Sequence, residues 1–153
     1  MSVTVGHAAP AFSMLTESGS VSLSELKGKK VVLYFYPKDD TSGCTSEAQG
    51  FKDDYADFVK LGVVIIGVSK DSVARHVKFK TKYDLPFALG SDESGAVCEA
   101  YDVWKEKSMY GRKYMGIERS TFLIDESGVL LQHWPKVKVT GHSKAVLKAI
   151  QDL

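Results

Sequence analysis

Six consecutive apolar or aromatic residues, Val31, Val32, Leu33, Tyr34, Phe35 and Tyr36, stand between Gly28 and Pro37. A run of this length and type between breakers predicts a buried central strand. After loop residues 37–43 the period changes. Ala48, Phe51, Tyr55, Phe58 and Val59 fall at i, i+3, i+7, i+10 and i+11, one helical stripe that Gly62 ends. Val63, Val64, Ile65, Ile66, Gly67 and Val68 then read as a second buried strand. Strand, helix, strand over this span predicts a right-handed βαβ unit with a parallel pair.

The flanks are weaker but legible. The opening stretch holds Gly6, Pro10 and Gly19 and reads as a loop plus a hairpin, with a short helical turn over residues 20–29. Asp71 or Ser72 can cap a helix that carries Val73 and Val77 and ends before Pro86. Phe87, Ala88 and Leu89 suggest a short strand, and residues 97–101 a short helix. The Lys- and Gly-rich residues 105–113 read as an exposed loop. Residues 121–124, the turn Asp125, Glu126, Ser127, Gly128, and residues 129–131 read as a hairpin stopped by Pro135. An amphipathic helix carrying Ala145, Val146, Ala149 and Ile150 closes the chain. This order of elements resembles a thioredoxin-like α/β fold, a mixed central sheet flanked by helices.

Composition narrows the function. The 153 residues are one domain's worth, so a single domain over 1–153 is expected. Hydrophobic residues make up 44% and charged residues 25%, enough apolar mass for a packed core and too much for disorder. Lys plus Arg is 20 and Asp plus Glu is 19, a balance that gives no reason to expect nucleic acid or an anionic membrane as partner. No apolar run is long enough to span a bilayer and the start has no signal-like pattern, so the cytoplasm is the expected location. The two cysteines, Cys44 and Cys98, are not a disulfide framework.

In α/β folds, chemistry concentrates where a strand's carboxyl end meets the next helix. Here that junction is Pro37, Lys38, Asp39, Asp40, Thr41, Ser42, Gly43, Cys44. Cys44 is expected in the first helical turn, where free N–H groups and the helix dipole favour thiolate over thiol. The Thr41 hydroxyl can reach back toward that sulfur. Pro37 and the aromatic run before it can shield the pocket. Asp39 and Asp40 would oppose ionisation if they faced inward, so they are expected to face solvent. The competing reading, Cys44 as core filling, fits poorly with a cysteine just after Gly43 at such a junction.

The pattern Pro37-x-x-x-Thr41-x-x-Cys44 resembles the peroxiredoxin active-site motif, and the fuller string FYPKDDTSGCTSEA is similar to the PrxQ, or bacterioferritin-comigratory, group. The segments VWKEKSMYGRKYMGIERSTFLID and VKVTGH carry the likeness over nearly the whole chain. The resemblance implies a thiol peroxidase acting on hydrogen peroxide and organic hydroperoxides, with no cofactor and no metal. Cys44 would be the peroxidatic cysteine that becomes a sulfenic acid. Thr41 would hydrogen-bond the thiolate and the incoming peroxide. Arg119 would supply fixed positive charge. Pro37 would cover the sulfur. Glu47 would orient the arginine or face solvent at the helix start.

The chain departs from the group in one respect. Many members carry a resolving cysteine where this sequence has Gln49, and others within residues 76–80; neither place holds a cysteine here. Cys98 matches neither usual position and reads as a structural cysteine, with a resolving role as the alternative. A one-cysteine cycle is then expected, reduced by glutathione with glutaredoxin or by thioredoxin, in a monomer. A thiol–disulfide oxidoreductase is the competing activity on this fold. It lacks its second sulfur, because Thr41 stands where the first cysteine of Cys-x-x-Cys would be. His7, His76, His133 and His142 are scattered and suggest no metal site. Arg75, His76 and the lysines after them read as a solvated helix face. Trp104 and Trp134 read as packing anchors.

Overall fold

A computed structural model describes residues 3–153. The chain opens with a hairpin, β1 (Ser13–Thr16) and β2 (Gly19–Ser22), and a short 3-10 turn over Leu23–Leu26. The apolar run becomes β3 (Lys30–Phe35). The expected single helix is two, α1 (Ser42–Asp53) and α2 (Tyr55–Lys60). The break falls at Asp54, whose buried carboxylate accepts hydrogen bonds from Ser143 Oγ (2.7 Å) and Lys144 Nζ (3.0 Å). The displaced second helix turns Val59 out to solvent. Then follow β4 (Val63–Ser69), α3 (Val73–Tyr83), β5 (Ala88–Ser91) and α4 (Ala96–Ala100). Ser72 caps α3, its hydroxyl accepting the Arg75 N–H at 3.2 Å.

Residues 105–113 are not a loop. They belong to a hairpin, β6 (Trp104–Met109) and β7 (Arg112–Ile117), that forms its own two-stranded sheet. Its turn residues, Tyr110 and Gly111, both have positive φ (52° and 77°), the twist that suits a two-residue hairpin turn. The charged residues hid the strand period, and Tyr-Gly is a weak turn signal. The chain ends with β8 (Ser120–Ile124), β9 (Leu130–Trp134) and α5 (His142–Gln151).

The main sheet has the order β2-β1-β5-β4-β3-β8-β9. β3 pairs parallel with β4, and β4 with β5, as the βαβ reading requires; β8 runs antiparallel to β3. Side chains alternate across a strand, so β3 feeds two cores. Val31, Leu33 and Phe35 join one, with Phe122 of β8 and with Cys98 and Tyr101 of the α4 region. Val32, Tyr34 and Tyr36 join the other, with Cys44, Phe51, Phe58, Phe79 and Val146 from the helices on that face. Tyr34 stacks on Phe51 with centroids 4.7 Å apart, and its ring lies over Gly67 of β4.

Candidate active site

The loop between β3 and α1 carries the candidate chemistry. Asp40 adopts a left-handed φ of 61°, and Thr41 is extended at the N-cap of α1. The Thr41 hydroxyl donates to the Lys38 carbonyl (2.9 Å), where the sequence suggested a reach toward the sulfur. The Thr41 side chain makes no capping bond to α1, which leaves N–H groups of its first turn able to face an anion. Cys44 is in that turn, as expected, and is only 1% exposed. Pro37 is exposed, while Tyr34, Tyr36, Ala48 and Phe51 pack in the apolar cluster that holds Cys44.

Arg119 reaches this turn because of strand order. In the β3–β8 ladder Phe35 faces Ser120, so Arg119, one residue earlier, lies at the carboxyl end of β3. Its carbonyl accepts from Val137 N–H (2.8 Å), which fixes its backbone. Its Nη2 donates to Cys44 Sγ at 3.3 Å, and its Nη1 donates to Glu47 Oε1 at 2.7 Å. Gly43 gives the guanidinium room: a Cβ there would lie 3.2 Å from Arg119 Nη2, tighter than ordinary contact.

Glu47 does not face solvent but turns inward, its Oε1 accepting from Arg119. The residue is 2% exposed, and its Oε2 is buried with no hydrogen-bond partner among the described residues. Burial pushes its pKa up to about 7, against the pull of Arg119. Burial disfavours the Arg119 charge, but Glu47 and Cys44 hold its pKa above the ordinary value. One guanidinium thus bridges a buried carboxyl and a buried sulfur, a fixed positive charge placed to stabilise a thiolate and an oxyanion beside it.

Two expectations fail nearby. Asp39 does not face solvent: it is 4% exposed and bonded to Tyr36 Oη and His76. His76 is not on a solvated face: it is 1% exposed, and α3 buries His76 and Phe79 while Val77 points outward. The stripe His76, Phe79, Tyr83 at i, i+3, i+7 was available, but it requires treating histidine as a core residue. Asp40 does lie at the surface, paired with Lys82 Nζ (2.8 Å) and Tyr83 Oη (2.8 Å). Sequence reasoning also missed His142, which bonds Thr121 Oγ1 at 2.8 Å through Nε2. Burial, with Arg119 nearby, lowers its pKa to about 4. It missed Lys107 of the hairpin as well, whose pKa is lowered by burial and by the Arg119 charge.

Cys98 lies in the core cluster on the opposite face of the sheet from Cys44. It is fully buried, and its N–H donates to Asp92 Oδ2 at 2.8 Å. Burial, then the hydrogen bond and charge of Asp92, push its thiol pKa far up, so its sulfur is a poor nucleophile. Both cysteines are free.

The AhpC/TSA family model matches residues 5–133. The chain is a peroxiredoxin of the AhpC/TSA family. A putative peroxiredoxin bcp of Coxiella burnetii is 57% identical over 148 residues, 96% of this chain and 98% of the relative. Peroxiredoxin Bcp of Bacillus subtilis is 50% identical over 154 residues, 100% of this chain and 98% of the relative. A solved structure of the Xanthomonas campestris bacterioferritin comigratory protein, described for its alkyl peroxide reduction activity, is 45% identical with a TM-score of 0.88, covering 92% of this chain and 90% of that one. A cysteine-to-serine mutant of Xylella fastidiosa PrxQ aligns with a TM-score of 0.93 at 36% identity, covering 99% of this chain and 98% of that one. The peroxiredoxin therefore belongs to the Bcp/PrxQ group, has the thioredoxin-like peroxiredoxin fold, and is a thiol-dependent peroxidase without a prosthetic cofactor.

Proposed function

We propose that Cys44 is the peroxidatic cysteine of a one-cysteine cycle that reduces hydrogen peroxide and organic hydroperoxides. The contact of Arg119 Nη2 with Cys44 Sγ at the uncapped start of α1 carries this reading. The thiolate attacks the terminal oxygen of R–O–O–H. The O–O bond breaks, an S–O bond forms, and the departing alkoxide takes a proton as ROH, leaving Cys44 as sulfenic acid. Arg119 holds its charge beside both sulfur and leaving oxygen. Glu47 orients Arg119, the Thr41 hydroxyl leaves the Lys38 carbonyl to donate to the incoming peroxide, and Pro37 stands at the solvent rim of the loop.

The sulfenic acid is then reduced by an external thiol, glutathione with glutaredoxin or thioredoxin. One thiol displaces the hydroxyl as water and forms a mixed disulfide; a second breaks that disulfide and restores Cys44. The placement of Cys98 supports this route over internal resolution, because the sheet separates the two sulfurs. The same placement counts against a thiol–disulfide exchange cycle within the chain. Cys44, Glu47 and Arg119 come from one chain, which suits a working monomer, and two free cysteines suit a reducing compartment such as the cytoplasm.

The test is intact-mass analysis after one equivalent of hydrogen peroxide with dimedone, on wild type and Cys98→Ser. A dimedone adduct on Cys44 in both is expected. A wild-type mass loss of two hydrogens that vanishes in Cys98→Ser would make Cys98 the resolver. No reaction at Cys44 would overturn the assignment of Cys44.

A further inference from the structure

Cys44 presents almost no surface, so a thiol as large as a tripeptide cannot reach its sulfur in this conformation. Reduction of the sulfenic acid requires the loop before α1 to move. That loop is held in one direction, toward α3. Asp39 Oδ1 accepts from Tyr36 Oη at 2.5 Å, and Asp39 Oδ2 meets His76 Nδ1 at 2.6 Å. The other ring nitrogen, Nε2, meets the Gly90 carbonyl of β5 at 3.1 Å. The Asp39 N–H donates to Asp71 Oδ2 (2.8 Å), just before the cap of α3. Asp40, in its left-handed conformation, is gripped by Lys82 and Tyr83 at the far end of the same helix.

Asp39, Asp71 and His76 have the residue types of a metal site, with ligand atoms within 4.8 Å of one another. Their atoms are already engaged by protein. Asp71 Oδ2 also accepts from Ser69 Oγ (2.7 Å), and Asp71 Oδ1 pairs with Arg75 Nε at 2.9 Å. Each of these carboxylate oxygens and ring nitrogens has a protein partner, which is the arrangement of a mechanical joint. The joint is also buried, so its hydrogen bonds are costly to open one at a time.

We infer that Asp39 and His76 are positioning residues that clamp the loop before Cys44 onto α3 and thereby set how readily the Cys44 sulfur is exposed to the reducing thiol. The inference rests on Cys44 being peroxidatic. The clamp favours the closed loop that the peroxide step uses and opposes the open loop that the reductive step uses. Loosening it therefore moves the two half-reactions in opposite directions, whereas general damage to the fold would slow both.

The experiment compares wild type, Asp39→Ala and Tyr83→Phe. Reduced proteins are alkylated with iodoacetamide and with a bulky maleimide, and Cys44 labelling is read by peptide mass. The bulky-to-small rate ratio reports access without depending on the charge of the sulfur. Stopped-flow mixing then gives the hydrogen peroxide step, and mixing of the peroxide-treated protein with glutathione gives mixed-disulfide formation. Asp39→Ala is expected to raise the access ratio and the glutathione step by on the order of tenfold, the scale of one buried hydrogen bond, while slowing the peroxide step. Tyr83→Phe, which removes an exposed bond and spares the core, is expected to shift all three in the same sense by less, so the clamp stays testable if Asp39→Ala fails to fold. An unchanged access ratio in both variants, or parallel loss of both half-reactions, would overturn the clamp. Absence of any peroxide step in wild type would overturn the role of Cys44 instead, and the alkylation ratio would still be readable.

Discussion

Arg119 Nη2 stands 3.3 Å from Cys44 Sγ, across 75 residues of sequence. The contact exists because β8 runs antiparallel to β3 and delivers its first residues to the carboxyl end of that strand. One guanidinium thereby holds Cys44 and Glu47 at once, using two different nitrogens.

Replacing Arg119 should therefore cost activity more than stability. Arg119→Ala is expected to slow sulfenic acid formation by about 10²–10³, the usual cost of removing a preorganised donor from a developing negative charge. Arg119→Lys should recover little, since one ammonium cannot reproduce the planar fork that serves two acceptors. Stopped-flow measurement of the first turnover checks both. Wild-type rates in Arg119→Ala would remove the arginine from the chemistry.

Gly43→Ala tests the same contact by geometry. The new Cβ would lie 3.2 Å from Arg119 Nη2, so the guanidinium must shift by a few tenths of an ångström. The melting temperature should hold or rise slightly, because alanine suits a helix better than glycine. The peroxide step should slow severalfold. An unchanged rate would show that the guanidinium tolerates displacement.

Glu47 and His142 should give opposing pH dependences of stability. The Glu47 pKa rises from 4.5 to about 7 in the folded state, so the native protein binds the extra proton and stability falls as pH rises from about 4.5 to about 7. The His142 pKa falls from 6.5 to about 4, so the unfolded chain binds the extra proton and stability is lost as pH falls from about 6.5 to about 4. Each effect is worth roughly 3 kcal/mol, and they offset each other where the windows overlap. Glu47→Gln should unmask a rise in stability with pH between about 4.5 and 6.5, and His142→Gln a fall. Urea unfolding at half-unit pH steps reads the slopes; parallel curves for wild type and Glu47→Gln would refute the Glu47 assignment.

Gly67→Ala should destabilise the core beneath the site. A Cβ there would meet Tyr34 Cζ and Oη at 2.8 Å and Leu89 Cδ2 at 2.9 Å, all buried. Overpacking of this kind costs about 1–3 kcal/mol. Thermal unfolding is the check, and a variant as stable as wild type would mean the Tyr34 ring moves freely off β4.

Much of this protein was legible in one dimension. The runs at 31–36 and 63–68 became β3 and β4, because an uninterrupted apolar run has few places to go other than the middle of a sheet. The position of Cys44 in the first turn of α1 followed from Gly43 and the strand before it. The hairpin of β6 and β7 was not legible, because its exposed charged residues carry no clear period of two. Asp39 and His76 look like surface residues in the sequence because polar residues usually are. Their burial depends on each being the other's partner, and a pairing across 37 positions leaves no local trace.

The central strands, the helix that bears Cys44 and the family likeness are written along the chain, since they rest on local period, local breakers and a contiguous motif. That Glu47 turns inward to Arg119, that the Thr41 hydroxyl rests on Lys38, and that Cys98 lies across the sheet from Cys44 emerge once the chain is folded. One cause underlies all three. Which face of a strand or helix a side chain takes is local, but what waits on that face is set by strand order, and strand order is fixed by pairings between distant segments.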